Sequence, residues 1–197
     1  MALTNRDIAD IFERIADMLQ IRGDNIHRVL SYRRAGEVIR ELPRDLRAIA
    51  AEGKLTDIPN IGKTLADKIQ EMLETGHLNF YDALAQEIPP GLVDIMRLNG
   101  VGPKKAYLFW KELGITDIEA LQKAAQAGKL RTLSGMGAKS EQKILEAIES
   151  LSRQTGRTPL GIALPAAEAV LEQLLALPEA IEGTVAGSLR RGKPTIG

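Results

Sequence analysis

Three short stretches of this 197-residue chain share one form, and that form constrains the fold more than any other feature. IPNIGKTLADKI, LNGVGPKKAYLF and LSGMGAKSEQKI each run apolar, any residue, Gly or Asn, apolar, Gly, and then a polar helix start. Glycine or asparagine tolerates the left-handed backbone that a tight turn between helices requires, and the second glycine lets that turn approach another surface closely. The second glycines, Gly62, Gly102 and Gly137, are spaced too unevenly for a solenoid. They suit a hairpin unit used three times. Each hairpin delivers the chain into a helix whose first N–H groups lack partners and whose dipole is positive there, an anion site suited to phosphate. Lys63 and Thr64, Lys104 and Lys105, and Lys139 and Ser140 flank these starts. Amides and lysines of this kind hold a nucleic-acid backbone without reading its bases. The plainer alternative is a helical scaffold, and under either reading Ile58, Ile61, Leu98, Val101, Leu133 and Met136 are core.

Around the hairpins the pattern is helical up to about Ser150, and alternating β-branched runs are missing. Ile8, Ile11, Phe12, Ile15, Met18 and Leu19 recur at helical spacing behind Thr4, an N-cap with Asp7 three residues on. Arg22-Gly23-Asp24 ends that helix. A second amphipathic run covers Asn25 to Leu42, with a break expected near Ser31 and a stop at Pro43. A short helix from Arg44 to Glu52 ends at Gly53. Beyond Ser152, RQTGRTPLG reads as a connector, and Leu164 to Leu177 as a helix with Pro165 in its first turn and Pro178 after its end. Ile181 to Ala186 reads as a short strand without a partner, which places the end of this chain inside a larger domain.

Hydrophobic residues at 44% and charged residues at 26% are ordinary for a folded chain, and no apolar run is long enough for a membrane span. With no cysteine and only His27 and His77, thiolate catalysis and Cys- or His-built metal sites are excluded. Twenty-six basic residues balance twenty-six acidic ones, so any attraction to nucleic acid must come from local placement of charge. One such place is Arg22, His27, Arg28, Arg33 and Arg34, which face only Asp24 between residues 22 and 36. Arg28 and Tyr32, at i and i+4, put a guanidinium and an aromatic ring on one helix face. His77, in TGHL, reads as a turn residue. Lys68 follows the first hairpin among Leu65, Ala66 and Ile69, where an amine near apolar groups and other cations can become a nucleophile toward an aldehyde. The plain reading is a snorkelling lysine. Finally, GSLRRGKPTIG joins a glycine-serine turn to Arg190 and Arg191, which suits a triphosphate, although no carboxylate follows Glu182 to hold magnesium.

With these residues in order, the chain resembles the N-terminal portion of a family X DNA polymerase, most closely the bacterial members. The resemblance runs through HRVLSYRRAGEVIRELP, IPNIGKTLADKI, NGVGPKKAYLF and GSLRRGKPTIG. It implies a mainly all-α fold: a helical lyase-like, 5′-phosphate-binding domain over 1–85 and a helix-hairpin-helix DNA-binding domain over 86–152. A linker and the truncated start of an α/β nucleotidyltransferase palm follow over 153–197. By resemblance, Ser188, Arg191 and Gly197 contact the incoming deoxynucleoside triphosphate, and an Asp-x-Asp pair holding Mg2+ or Mn2+ lies just beyond. Bacterial relatives usually add a phosphoesterase domain. Lys68 falls on the position of the Schiff-base nucleophile of 5′-deoxyribose-phosphate lyase activity, and Tyr32 on that of an active-site tyrosine. His27 matches a stacking histidine and Arg28 a phosphate-binding cation. Thr56 and Thr64 stand where relatives often place phosphate-binding lysines, and Asn60 replaces the first hairpin glycine, so phosphate binding is expected to be either weaker or shifted onto Lys63.

The resemblance further assigns the downstream DNA strand to Asn60, Gly62 and Thr64, and the primer strand to Gly100, Gly102, Lys104 and Lys105. Backbone carbonyls of Thr56, Ile58 and Ile61, and of Met96, Leu98 and Val101, are the expected holders of Na+ or K+. It assigns no strand to Gly135 and Gly137. The expected partner is gapped or nicked duplex DNA with a 5′-phosphate, bound without polymerisation by a monomer in the bacterial cytosol or nucleoid. Two alternatives stand beside this: a non-catalytic helix-hairpin-helix DNA-structure module, and a helical protein-interaction scaffold.

Overall fold

In the computed structural model the chain enters its first helix, α1 (Asn5–Arg22), through a capping box. The Asp7 N–H donates to the Thr4 hydroxyl at 3.3 Å while Asp7 Oδ2 accepts the Thr4 N–H at 2.8 Å, as the Thr4/Asp7 spacing predicts. Gly23, at φ +86°, ends α1, and the Asp24 N–H reaches back to the Leu19 carbonyl at 3.0 Å. The structure describes residues 3–154, 158–176, 183–184 and 195–196, which fall into two compact units, 1–144 and 145–197.

Helix α2 (Ile26–Glu41) begins at Asn25, whose Oδ1 accepts the His27 N–H at 2.8 Å. It runs without the break expected near Ser31, because the Ser31 hydroxyl donates to the Arg28 carbonyl at 2.8 Å within the helix and leaves the backbone ladder intact. Before Pro43, Leu42 turns to extended backbone at ψ 125°. Helices α1 and α2 pack along their lengths, burying Ile8, Phe12, Ile15 and Leu19 against Val29, Tyr32 and Ile39. Each large apolar side chain so buried contributes about 2 kcal/mol. A Cβ at Gly36 would meet the Ala9 carbonyl at 3.1 Å, so glycine sets how closely the two helices approach.

After α3 (Leu46–Ala51) and a 3-10 turn at Leu55–Asp57, the first hairpin leads into α4 (Lys63–Thr75) and then α5 (Asn79–Glu87). The second lies between α6 (Gly91–Met96) and α7 (Pro103–Leu113). Helix α8 (Ile118–Gln126), a 3-10 turn at Leu130–Thr132 and the third hairpin lead to α9 (Ala138–Gln154). Helix α1 also packs on α5, α6 and α7, and Arg14 reaches Asp94 of α6 at 3.4 Å. Ile58, Ile61, Leu98 and Val101 are buried as expected. Leu133 and Met136 are only half-buried. The third hairpin packs through Leu130, which is fully buried, and its own apolar pair stays at the rim.

In the second unit, α10 spans Leu160–Leu175. It starts before the expected Leu164, so Pro165 lies inside the helix, where its missing N–H removes one backbone hydrogen bond. Thr158–Pro159 and Thr195–Ile196 form a two-residue antiparallel pair, the only strands among the described residues. Of the strand expected over Ile181 to Ala186, all but Gly183 and Thr184 lies outside the described residues, as do Leu177 and Pro178. The described fold is all-α but for that pair. No described helix is long and apolar enough to cross a membrane.

Candidate nucleic-acid interface

The three hairpins close with the same bond. Ile61, Val101 and Met136 donate their N–H groups to the Ile58, Leu98 and Leu133 carbonyls at 3.1, 3.0 and 3.0 Å. The turn residue has positive φ each time, +64° at Asn60, +82° at Gly100 and +74° at Gly135. Asn60 is the only non-glycine residue with positive φ among the described residues, and asparagine is among the side chains that tolerate it. The second glycines are a different case. Gly62 and Gly102 have extended backbone at φ −79° and −106°, open to any residue, and a Cβ at Gly62, Gly102 or Gly137 would meet nothing within 4 Å. Neither backbone nor packing within the chain requires glycine there. No side chain caps α4 or α7 at Gly62 or Gly102, so the bare glycine leaves the helix-start N–H groups open to an approaching atom.

The first hairpin opens on a cavity of about 430 Å³ that gathers distant parts of the chain. Helix α2 contributes Arg28, Ser31 and Tyr32, the turn Asn60 and Gly62, and α4 Lys63, Thr64, Leu65 and Lys68. Phe80 of α5 completes the wall, and no carboxylate lines it. Lys68 is half-buried; burial pushes its amine below the ordinary lysine range, the Arg28 charge adds to this, and Glu71 opposes it. Burial likewise raises the Tyr32 phenol, against the pull of Arg28. Tyr32 meets the Phe12 ring edge-on at 5.5 Å and stacks on Phe80 at 5.9 Å, their planes 6° apart. The Lys68 ammonium lies 4.3 Å and the Arg28 guanidinium carbon 5.2 Å from the Phe80 ring centre.

Sequence reasoning brought Arg28, Tyr32, Lys63, Thr64 and Lys68 forward, and the fold places all five on this cavity. It overlooked Phe80, which only its membership of a set of three phenylalanines could have flagged. The cavity wall does not include His27, which is exposed at the start of α2. Thr56 lines a separate depression of about 190 Å³ with Ala66 and Asp67. The N-terminal basic set is also less positive than its sequence window shows. Arg22 pairs with Asp24 and with Glu87, Arg28 with Asp24 at 3.0 Å, and Arg33 with Asp17 at 2.8 Å. Asp17 and Glu87 lie outside the window and reach it through folding.

At the second hairpin Pro103 removes one N–H from the helix start, and the Lys105 ammonium donates to the Gly100 carbonyl at 2.8 Å. Lys105 is thus engaged with its own turn, while Lys104 is exposed. At the third, Glu141 in the first turn of α9 is buried and accepts from the Arg131 N–H at 3.1 Å and from its Nε at 2.7 Å. Burial pushes the Glu141 carboxyl up, but the Arg131 side-chain and backbone hydrogen bonds outweigh this and hold it below the ordinary range. For the expected monovalent cations, carbonyl oxygens are suitable donors. Of the expected carbonyl sets of Thr56, Ile58 and Ile61 and of Met96, Leu98 and Val101, the Ile58 and Leu98 oxygens already accept the turn bonds and each keep one lone pair. Among the described residues no three His, Asp or Glu side chains gather to hold a metal. Ser188, Arg191 and Gly197 lie outside the described residues.

Residues 3–78 match a family model described as a helix-hairpin-helix domain, and residues 92–150 one described as a SAM-like helix-hairpin-helix tandem. Along 97% of its length the chain is 35% identical to the DNA polymerase/3′-5′ exonuclease PolX of Bacillus subtilis, covering 33% of that protein. It is 26% identical to DNA polymerase lambda of Rattus norvegicus and of Arabidopsis thaliana, over 98% of the chain and 30% and 33% of those proteins. The chain therefore spans about a third of the length of these curated relatives. Two helix-hairpin-helix domains in tandem and a likeness along nearly the whole chain make this chain similar to about a third of the length of these family X DNA polymerases.

Proposed function

We propose that this chain binds gapped or nicked duplex DNA and seats the downstream 5′-phosphate in the cavity beside the first hairpin. The observation that carries the reading is that cavity itself: Arg28, Lys63 and Lys68 line it with the open start of α4, and no carboxylate does. A phosphate placed there accepts from the N–H groups of α4 and from charged donors together. The exposed Lys104 and the open start of α7 hold the primer strand in the same sequence-independent way, with Na+ or K+ at the turn carbonyls. In the whole protein this region serves gap-filling synthesis from deoxynucleoside triphosphates with Mg2+ or Mn2+, as a monomer in the bacterial cytosol or nucleoid. Ser188, Arg191 and Gly197 would meet the nucleotide.

The chemistry proposed for Lys68 is removal of a 5′-deoxyribose phosphate. Its neutral amine adds to the C1′ aldehyde and loses water to form an imine; loss of a C2′ proton then drives cleavage of the C3′–O bond. The downstream strand leaves with its 5′-phosphate. Burial beside Arg28 raises the neutral fraction of this amine, and Tyr32 lies on the same cavity wall. Borohydride trapping on a duplex with an incised abasic site tests the step. The wild-type chain is expected to form an adduct, Lys68→Ala at least about 100-fold less, and trapping to rise with pH and level off below the ordinary lysine range. A wild-type chain that forms no adduct contradicts the lyase step. One observation favours the non-catalytic binding module instead: the Phe80 ring beside Lys68 stabilises the ammonium, which is no nucleophile.

A further inference from the structure

Phe80 occupies an unusual position for a side chain without polar atoms. Lys68 at 4.3 Å and Arg28 at 5.2 Å share its ring, although their charges repel. No carboxylate lines the cavity wall at this ring. Asp24 takes Arg22 and Arg28 outside the cavity wall, and Glu71 accepts the Asn79 N–H at the start of α5 at 2.7 Å. An aromatic ring attracts a cation through its quadrupole and leaves the charge un-neutralised, whereas a carboxylate in its place would cancel it. The ring is fixed in turn by its stack on Tyr32, which Phe12 of α1 holds edge-on.

We propose that Phe80 is a positioning residue: its ring holds the Lys68 ammonium on the cavity wall beside Arg28, which Asp24 pairs from outside that wall, and so keeps the Lys68 charge available to a phosphate. This rests on the reading of the cavity as the seat of the 5′-phosphate. The groups that set the proton affinity of Lys68 are then Phe80, Arg28 of α2 and Glu71 of its own helix, with Lys63 and Tyr32 on the same wall.

The test uses the whole chain with its lysines reductively 13C-methylated, the Lys68 signal identified by its loss in Lys68→Arg and followed by NMR against pH. Replacing the ring with an apolar side chain of similar size, Phe80→Leu, is expected to lower the Lys68 midpoint by about half a pH unit. It should also weaken binding to a 5′-phosphorylated gap about five-fold, and more than it weakens binding to the unphosphorylated gap. Phe80→Tyr, which keeps the ring, should restore both. A Phe80→Leu midpoint equal to or above that of the wild type would overturn the proposal, and so would a Phe80→Tyr variant that behaves as Phe80→Leu. A midpoint that falls in a protein indifferent to the 5′-phosphate would support the ring contact and overturn instead the seating of that phosphate.

Discussion

The first and third hairpins share one backbone and differ in charge. Ile61 to Ile58 and Met136 to Leu133 close the same turn, and Leu65 to Gly62 and Ser140 to Gly137 open the same helix. Yet where the first hairpin buries Ala66, the third buries Glu141, clamped by Arg131. The first also faces Arg28 and Phe80 from helices outside the motif. The repeat thus specifies a turn with open N–H groups, while neighbours that the repeat does not contain decide what those groups meet.

The sharpest way to break this contrast is to transplant the charge. Ala66→Glu, at a buried position without an arginine to receive it, is expected to lower stability by about 3 kcal/mol in chemical denaturation and to abolish phosphate preference. A stable variant with intact preference would show that charge at this position does not separate the hairpins. Next in size, Lys63→Ala should weaken binding to a phosphorylated gap about ten-fold. The corresponding Lys139→Ala should change it less than about two-fold; equal effects would merge the two hairpins into one functional class.

Glu141→Ala should cost about 2 kcal/mol, since it strands the Arg131 N–H, and should leave gap binding alone. Because the Glu141 carboxyl titrates below its ordinary range when folded, its contribution is complete above that range and disappears as pH falls through the folded value. Thermal melts from neutral pH into acid should therefore converge for Glu141→Ala and wild type. The smallest effect is expected from Asn60→Gly, a few tenths of a kcal/mol at most, because asparagine already tolerates φ +64°.

Much of this was legible beforehand for local reasons. The Thr4/Asp7 box, Gly23, Pro43 and the three turns act over a few residues, and their spacing alone reveals them. What escaped depends on contacts between distant residues. Phe80 acquires its role through Tyr32, Arg28 and Lys68; Asp17 and Glu87 neutralise arginines that a sequence window leaves bare. Lys105 bends back onto Gly100, and Leu133 and Met136 read as core because their motif matched two buried copies. The break expected at Ser31 failed because its hydroxyl found a partner inside the helix. In each case the pattern gave the backbone, and the tertiary neighbour gave the chemistry.

The proposed seat of the downstream 5′-phosphate is the cavity where the first hairpin meets α2 and Phe80. Its most direct test is equilibrium binding across a salt series to a short-gap duplex with and without the downstream 5′-phosphate. Wild type, Arg28→Ala, Lys63→Ala and Lys139→Ala should be compared. Wild type is expected to bind the phosphorylated gap more tightly, a preference lost in Arg28→Ala and Lys63→Ala and kept in Lys139→Ala. Salt-sensitive binding indifferent to that phosphate in the wild-type chain would contradict it.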